Sequence, residues 1–150
     1  MSNFISYKDN KIINIDNVSN IAIDNCSNNK KVIFNLGYSI KVFDGKVTSD
    51  YVYWKFDSDI ELKEIVNRFL PKIRHWIHPA YDNHHYINPS SISSIKFEDR
   101  KYRVIFNLNY STSIPKNIDK ITGDFEFFDF NDYKDYTEFC EYVKDELNIK

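Results

Sequence analysis

The chain has 150 residues, of which 42% are apolar, enough for one domain-sized core. A formal net charge of −2 with 28% charged residues argues against a protein whose main task is to coat nucleic acid or an anionic membrane, since those surfaces usually need a clear cationic excess. Only three glycines and four prolines are present, too few for a Gly-rich phosphate loop, and no apolar run approaches the ~20 residues of a membrane helix.

The opening Met1-Ser2-Asn3-Phe4-Ile5-Ser6 has neither a basic head nor an apolar signal core, so a cytoplasmic protein is expected. A short extended piece over 12–15 leads through a polar turn to a strand over 19–24. Cys26 lies just beyond it. With Cys140 as the only other cysteine, two reduced thiols are expected, with no disulfide framework or zinc motif. A hairpin then returns the strand 31–36, and an aromatic strand follows over 51–56. Ser58-x-x-Glu61 is a capping box that starts a helix. Its apolar residues Leu62, Ile65, Val66 and Phe69 recur at helical spacing, and Pro71 ends or kinks it.

The segment that follows holds all four histidines, His75, His78, His84 and His85, with Asp82 among them. Catalytic and metal-ligating residue types cluster here and nowhere else. Their spacing matches no standard zinc site, no nucleophile elbow occurs in the chain, and no dinucleotide fingerprint occurs either. No metal and no cofactor are expected, and the chain does not read as an enzyme.

Beyond the connector the earlier pattern returns. Val32-Ile33-Phe34-Asn35-Leu36-Gly37-Tyr38-Ser39 recurs as Val104-Ile105-Phe106-Asn107-Leu108-Asn109-Tyr110-Ser111. Upstream, Ile13-Asn14, Val18 and Ile21 answer to Ile87-Asn88, Ile92 and Ile95. Downstream, the strand Tyr51-Val52-Tyr53-Trp54-Lys55-Phe56 answers to Phe125-Glu126-Phe127-Phe128-Asp129-Phe130. Asp132-x-x-Asp135 then opens a second helix with Tyr136, Phe139, Cys140, Val143 and Leu147 on its apolar face. Differences in length fall in the turns, where insertions are tolerated. The expected fold is α+β, a pseudo-twofold tandem duplication of a β-meander-plus-helix unit, with three to four antiparallel strands and then one α-helix, twice. The expected organisation is a single compact domain over 1–150, made of repeats at about 11–72 and 85–147 and a connector at 73–84.

Strand alternation assigns the sides. Val32, Phe34, Leu36, Trp54 and Phe56, with Val104, Phe106, Leu108, Phe128 and Phe130, form the helix-covered face. Tyr51, Tyr53, Phe125 and Phe127 then point the other way. Apolar patches of this kind are seldom left bare, so the other repeat, a second copy in a homodimer, or a partner is expected to cover them. Residues 119–147 are strongly acidic, and a basic protein partner is expected on the four rings, rimmed by Glu126, Asp129 and Asp132. In composition this surface resembles those of small inhibitors and immunity proteins directed against nucleases. The duplicated strands-then-helix layout also resembles, in outline, whirly-type and Pur-type single-strand binders. That resemblance implies stacking on the same rings with Lys55, Lys96, Arg100, Lys101 and Arg103 at phosphates. Protein binding, in the manner of an inhibitor or immunity protein, is the first expectation and nucleic acid the second.

Overall fold

The computed structural model describes residues 3–149 apart from 8–10, 27, 44–45 and 115–116; for 7, 11, 29, 37–43, 46–51, 109–114 and 117–124 it describes the backbone alone. The side chain of Tyr51 therefore lies outside the described residues.

The protein is α+β, with several antiparallel sheets and two α-helices. A hairpin of β1 (Phe4–Tyr7) and β2 (Lys11–Asn14) comes first, with Ile5 opposite Ile13. A single 3-10 turn (Ile15–Asn17) follows, where the Asn14 side chain accepts the Asp16 N–H at 3.1 Å. Next come β3 (Val18–Cys26), β4 (Asn29–Phe43), β5 (Lys46–Phe56) and α1 (Asp59–Phe69). After the connector, β6 (His85–Ile87) leads into another 3-10 turn (Pro89–Ser91), capped by Asn88 as the first is by Asn14. Then β7 (Ile92–Glu98), β8 (Arg103–Ile114), β9 (Asn117–Asp129) and α2 (Tyr133–Glu146) repeat the order of β3, β4, β5 and α1.

Pairing details recur as well. β3 on β4 has an irregularity between Val18 and Asn20, and β7 on β8 has one between Ile92 and Ser94. Val32 lies opposite Trp54 in one hairpin and Val104 opposite Phe128 in the other. Both helices start on a side-chain cap, which satisfies an amide that the helix itself cannot pair. Ser58 accepts the Glu61 N–H at 3.3 Å and Asp132 accepts the Asp135 N–H at 2.8 Å. Among the described residues no helix is long and apolar enough to cross a membrane.

Each helix covers one sheet. Leu62, Ile65 and Phe69 of α1 pack on Val32, Phe34, Trp54 and Phe56. Tyr136, Phe139, Cys140 and Val143 of α2 pack on Val104, Phe106, Phe128 and Phe130. Tyr136 is buried together with its hydroxyl, which donates to Asp99 Oδ1 at 2.7 Å. Burial, reinforced by this bond, pushes its pKa well up.

The connector is not an exposed linker. Trp76 belongs to the first core and Ile77 to the second, and Ile77 exchanges two backbone hydrogen bonds with Ile87 at 2.9 Å. β6 opens the second set of elements, yet it pairs with β3, giving a four-stranded sheet in the order β5-β4-β3-β6. Its alternating side chains divide between the cores, Tyr86 into the first and Ile87 into the second. Asn88, also buried, fastens this junction by donating to the Val18 carbonyl at 2.9 Å. The sheet under α2 has three strands, β7-β8-β9, with β7 and β9 at its edges.

Candidate binding surface

Period-two alternation in β9 sends Phe128 and Phe130 under α2 and leaves Phe125, Phe127 and Asp129 on the opposite face. Phe125 is 53% exposed and Phe127 44%, whereas Phe128 is 5% exposed, so the two faces of the strand differ sharply. The exposed rings stack, with centroids 6.3 Å apart and planes 23° apart. β8 extends the patch, since Ile105 lies opposite Phe127 and Arg103 opposite Asp129. The Arg103 guanidinium sits 4.5 Å from the Phe127 ring centroid and makes a two-pronged bond to Asp129, Nε at 2.5 Å and Nη2 at 3.1 Å. This bond holds the Asp129 carboxyl below the usual carboxylate range and raises the Arg103 guanidinium further. β7 adds Lys96, opposite Ile105. On the other sheet Tyr53 is 41% exposed, lies opposite Ile33, and has Lys55 Nζ 5.8 Å from its ring centroid.

The three acids expected around these rings occupy three different settings. Asp129 is beside Phe127 but is tied to Arg103. Glu126 is half-buried, opposite Phe106, on the helix side of the strand. Asp132 serves as the cap of α2. Among the described residues, the charge around the exposed rings therefore comes from Lys55, Lys96 and the Arg103–Asp129 pair, while the acids of 135–146 lie on α2. Arg103 is expected from the sequence only as a phosphate contact; its place against Phe127 and Asp129 follows from the cross-strand register.

The histidine segment is organised by Asp82, whose Oδ1 accepts the His84 N–H at 2.7 Å and whose Oδ2 lies 2.8 Å from His85 Nδ1. His78 Nδ1 lies near the carbonyls of Pro79 and Asp82, at 3.1 and 3.2 Å. His75 is exposed. Among the described residues no three His, Cys, Asp or Glu side chains converge as metal ligands do. Cys26 is exposed, Cys140 is buried, and both are free thiols.

Fold and surface together define an α+β protein with one helix-covered and one aromatic, cation-bearing side to its three-stranded sheet. No protein-family model, curated protein or solved structure matches the chain.

Proposed function

We propose that this is a non-catalytic protein-binding protein, acting as a small inhibitor or immunity-type protein through the outward face around Phe125, Phe127 and Tyr53. The observation that carries the reading is the exposed stack of Phe125 on Phe127 with Arg103 against it. Rings and an arginine held on rigid strands are the residue types that dominate binding hot spots, and they are ordered before any partner arrives. Asp129 borders the patch, and Asp132, the cap of α2, is included from its place in the sequence three residues on. Tyr51, next but one to Tyr53 in the sequence, is included from the sequence pattern alone. Glu126 faces the helix side of the strand and backs this face without lying on it.

The reading includes a tandem duplication within one domain, 11–72 and 85–147 about the connector 73–84. Support comes from the matched irregularities in β3 and β7 and from the matched caps Asn14 with Asn88 and Ser58 with Asp132. A cytoplasmic setting is supported by the free thiols.

A second reading, single-stranded nucleic-acid binding, is favoured by one observation: Lys55, Lys96 and Arg103 stand beside the exposed rings. Co-purification from the native host separates the two. Wild type is expected to retain a protein that a Phe125→Ser/Phe127→Ser variant loses. Identical co-purifying sets from both proteins would refute the sheet face as the site. Tight, salt-sensitive binding of a single-stranded oligonucleotide, lost in the same variant, would establish the second reading instead.

A further inference from the structure

Beside α2, on the far side of the Phe130 strand end from the sheet face, the connector and the helix enclose an open cavity of about 430 Å3. Four of its lining rings form a continuous run. Tyr81 stands edge-on to Phe130 at 5.4 Å, Phe130 lies 5.0 Å from Phe139, and Phe139 lies 5.8 Å from Tyr142. The hydroxyls at both ends are tied to backbone, Tyr81 donating to the Asp129 carbonyl at 2.9 Å and Tyr142 to the Trp76 carbonyl at 3.4 Å. The rings are thereby fixed from behind. Two carboxylates, Asp135 and Glu138, join the lining from one face of α2, three residues apart, and the connector adds Ala80 and His78, whose Nδ1 is turned to the Pro79 and Asp82 carbonyls.

Rings alone would suit any apolar group, and carboxylates alone would be a solvated helix face. Together they select a flat cation, because the ring faces attract positive charge and the carboxylates complete its hydrogen bonds. Glu138 approaches Lys134 only loosely, at 3.9 Å with both groups well exposed, so an incoming cation meets little competition. A shallower groove continues along α2 from Glu138 and Tyr142 towards Glu141, Asp145 and Glu146. This arrangement repels phosphate and accepts a second positive side chain.

We propose that the cavity receives an arginine side chain from a basic segment of a protein partner, with the neighbouring basic residue lying in the acidic groove. The site goes beyond the sheet-face reading and does not depend on it.

The test is a titration of the full chain at low ionic strength with a blocked Gly-Arg-Gly-Arg-Gly peptide, followed by amide NMR. The controls are the same peptide with citrulline, a neutral isostere, and with lysine. Saturable shifts are expected at Tyr81, Phe130, Glu138 and Tyr142 with arginine, weaker ones with lysine and none with citrulline. Asp135→Asn/Glu138→Gln is expected to weaken binding by roughly tenfold, and Tyr81→Ala by roughly threefold or more. Both sets of changes lie on exposed side chains, so the fold is retained. Phe125→Ser/Phe127→Ser is expected to bind the peptide like wild type, which separates this site from the sheet face. Equal binding of the citrulline peptide would overturn the proposal, as would shifts spread along α2 that spare Tyr81 and Phe130.

Discussion

Replacing Phe106 by alanine tests whether the two cores unfold as one. Phe106 is fully buried, 6.1 Å from Phe128 and 6.2 Å from Phe139, both edge-on, so its loss opens a hole at the centre of the second core. A buried Phe→Ala change costs about 3–5 kcal/mol, against about 5–15 kcal/mol for the stability of a whole domain. At a urea m-value of about 2 kcal/mol per molar, the midpoint falls by about 1.5–2.5 M. Both tryptophans, Trp54 and Trp76, belong to the first core, so their fluorescence watches a region that the substitution does not touch. The cores are nevertheless joined, because β6 completes the first sheet while Ile87 and Ile77 fill the second core. The tryptophan transition is therefore expected to fall by the full amount and to coincide with the loss of far-UV circular dichroism. Phe106→Leu, at roughly 1 kcal/mol, gives the same comparison with a milder lesion. A fluorescence midpoint that stays at the wild-type value while the dichroism splits into two steps would refute the coupling.

Two further outcomes follow from individual contacts. Asp132→Ala removes the cap of α2 and is expected to cost about 1 kcal/mol, lowering the thermal midpoint by about 2–4 °C; an unchanged midpoint in a dichroism melt would show that the cap contributes nothing. Asp129 titrates below the ordinary 3.8 because Arg103 hydrogen-bonds its charged form. Its folded pKa is depressed, so the stability this pair contributes is present above that ordinary value and is lost as pH falls through the folded pKa. Arg103→Gln is expected to move the Asp129 carboxyl resonance midpoint upward in a carbon-13 pH titration, and an unmoved midpoint would mean that the pair does not form in solution.

Much of the architecture was legible because its signals are local. Alternation alone separates Trp54 and Phe56 from Tyr53, and Phe128 and Phe130 from Phe127. The caps at Ser58 and Asp132 marked both helix starts, and helical spacing picked out Leu62, Ile65 and Phe69 as well as Tyr136, Phe139, Cys140 and Val143. What escaped depends on contacts between distant residues. Three histidines make the connector look solvated, although Trp76 and Ile77 inside it are core residues. Tyr86 and Ile87 show no polar alternation because each side of β6 faces a different core, so nothing local indicated that this strand joins the earlier sheet. Glu126 drew attention by its charge, although the same alternation that exposes Phe127 turns it inward. The Arg103–Asp129 pair and the ring-lined cavity need the register of β8 on β9 and the path of the connector past α2, neither of which sequence spacing carries.

The two sheets finish differently at corresponding edges. In the first, β3 is closed by β6, with the Ile23 N–H donating to His84 and the Ser19 carbonyl accepting from Asn88. The matching positions in β7, Ser93 and Phe97, meet no such strand among the described residues. A bare margin of this kind is a template for any extended segment that reaches it. The solvent-facing charge of Lys96, midway along β7, is the natural deterrent, since a newcomer must lie against it. Removing that charge would turn a guarded margin into the first place where chains zip together, so the ammonium group protects solubility without contributing to the core.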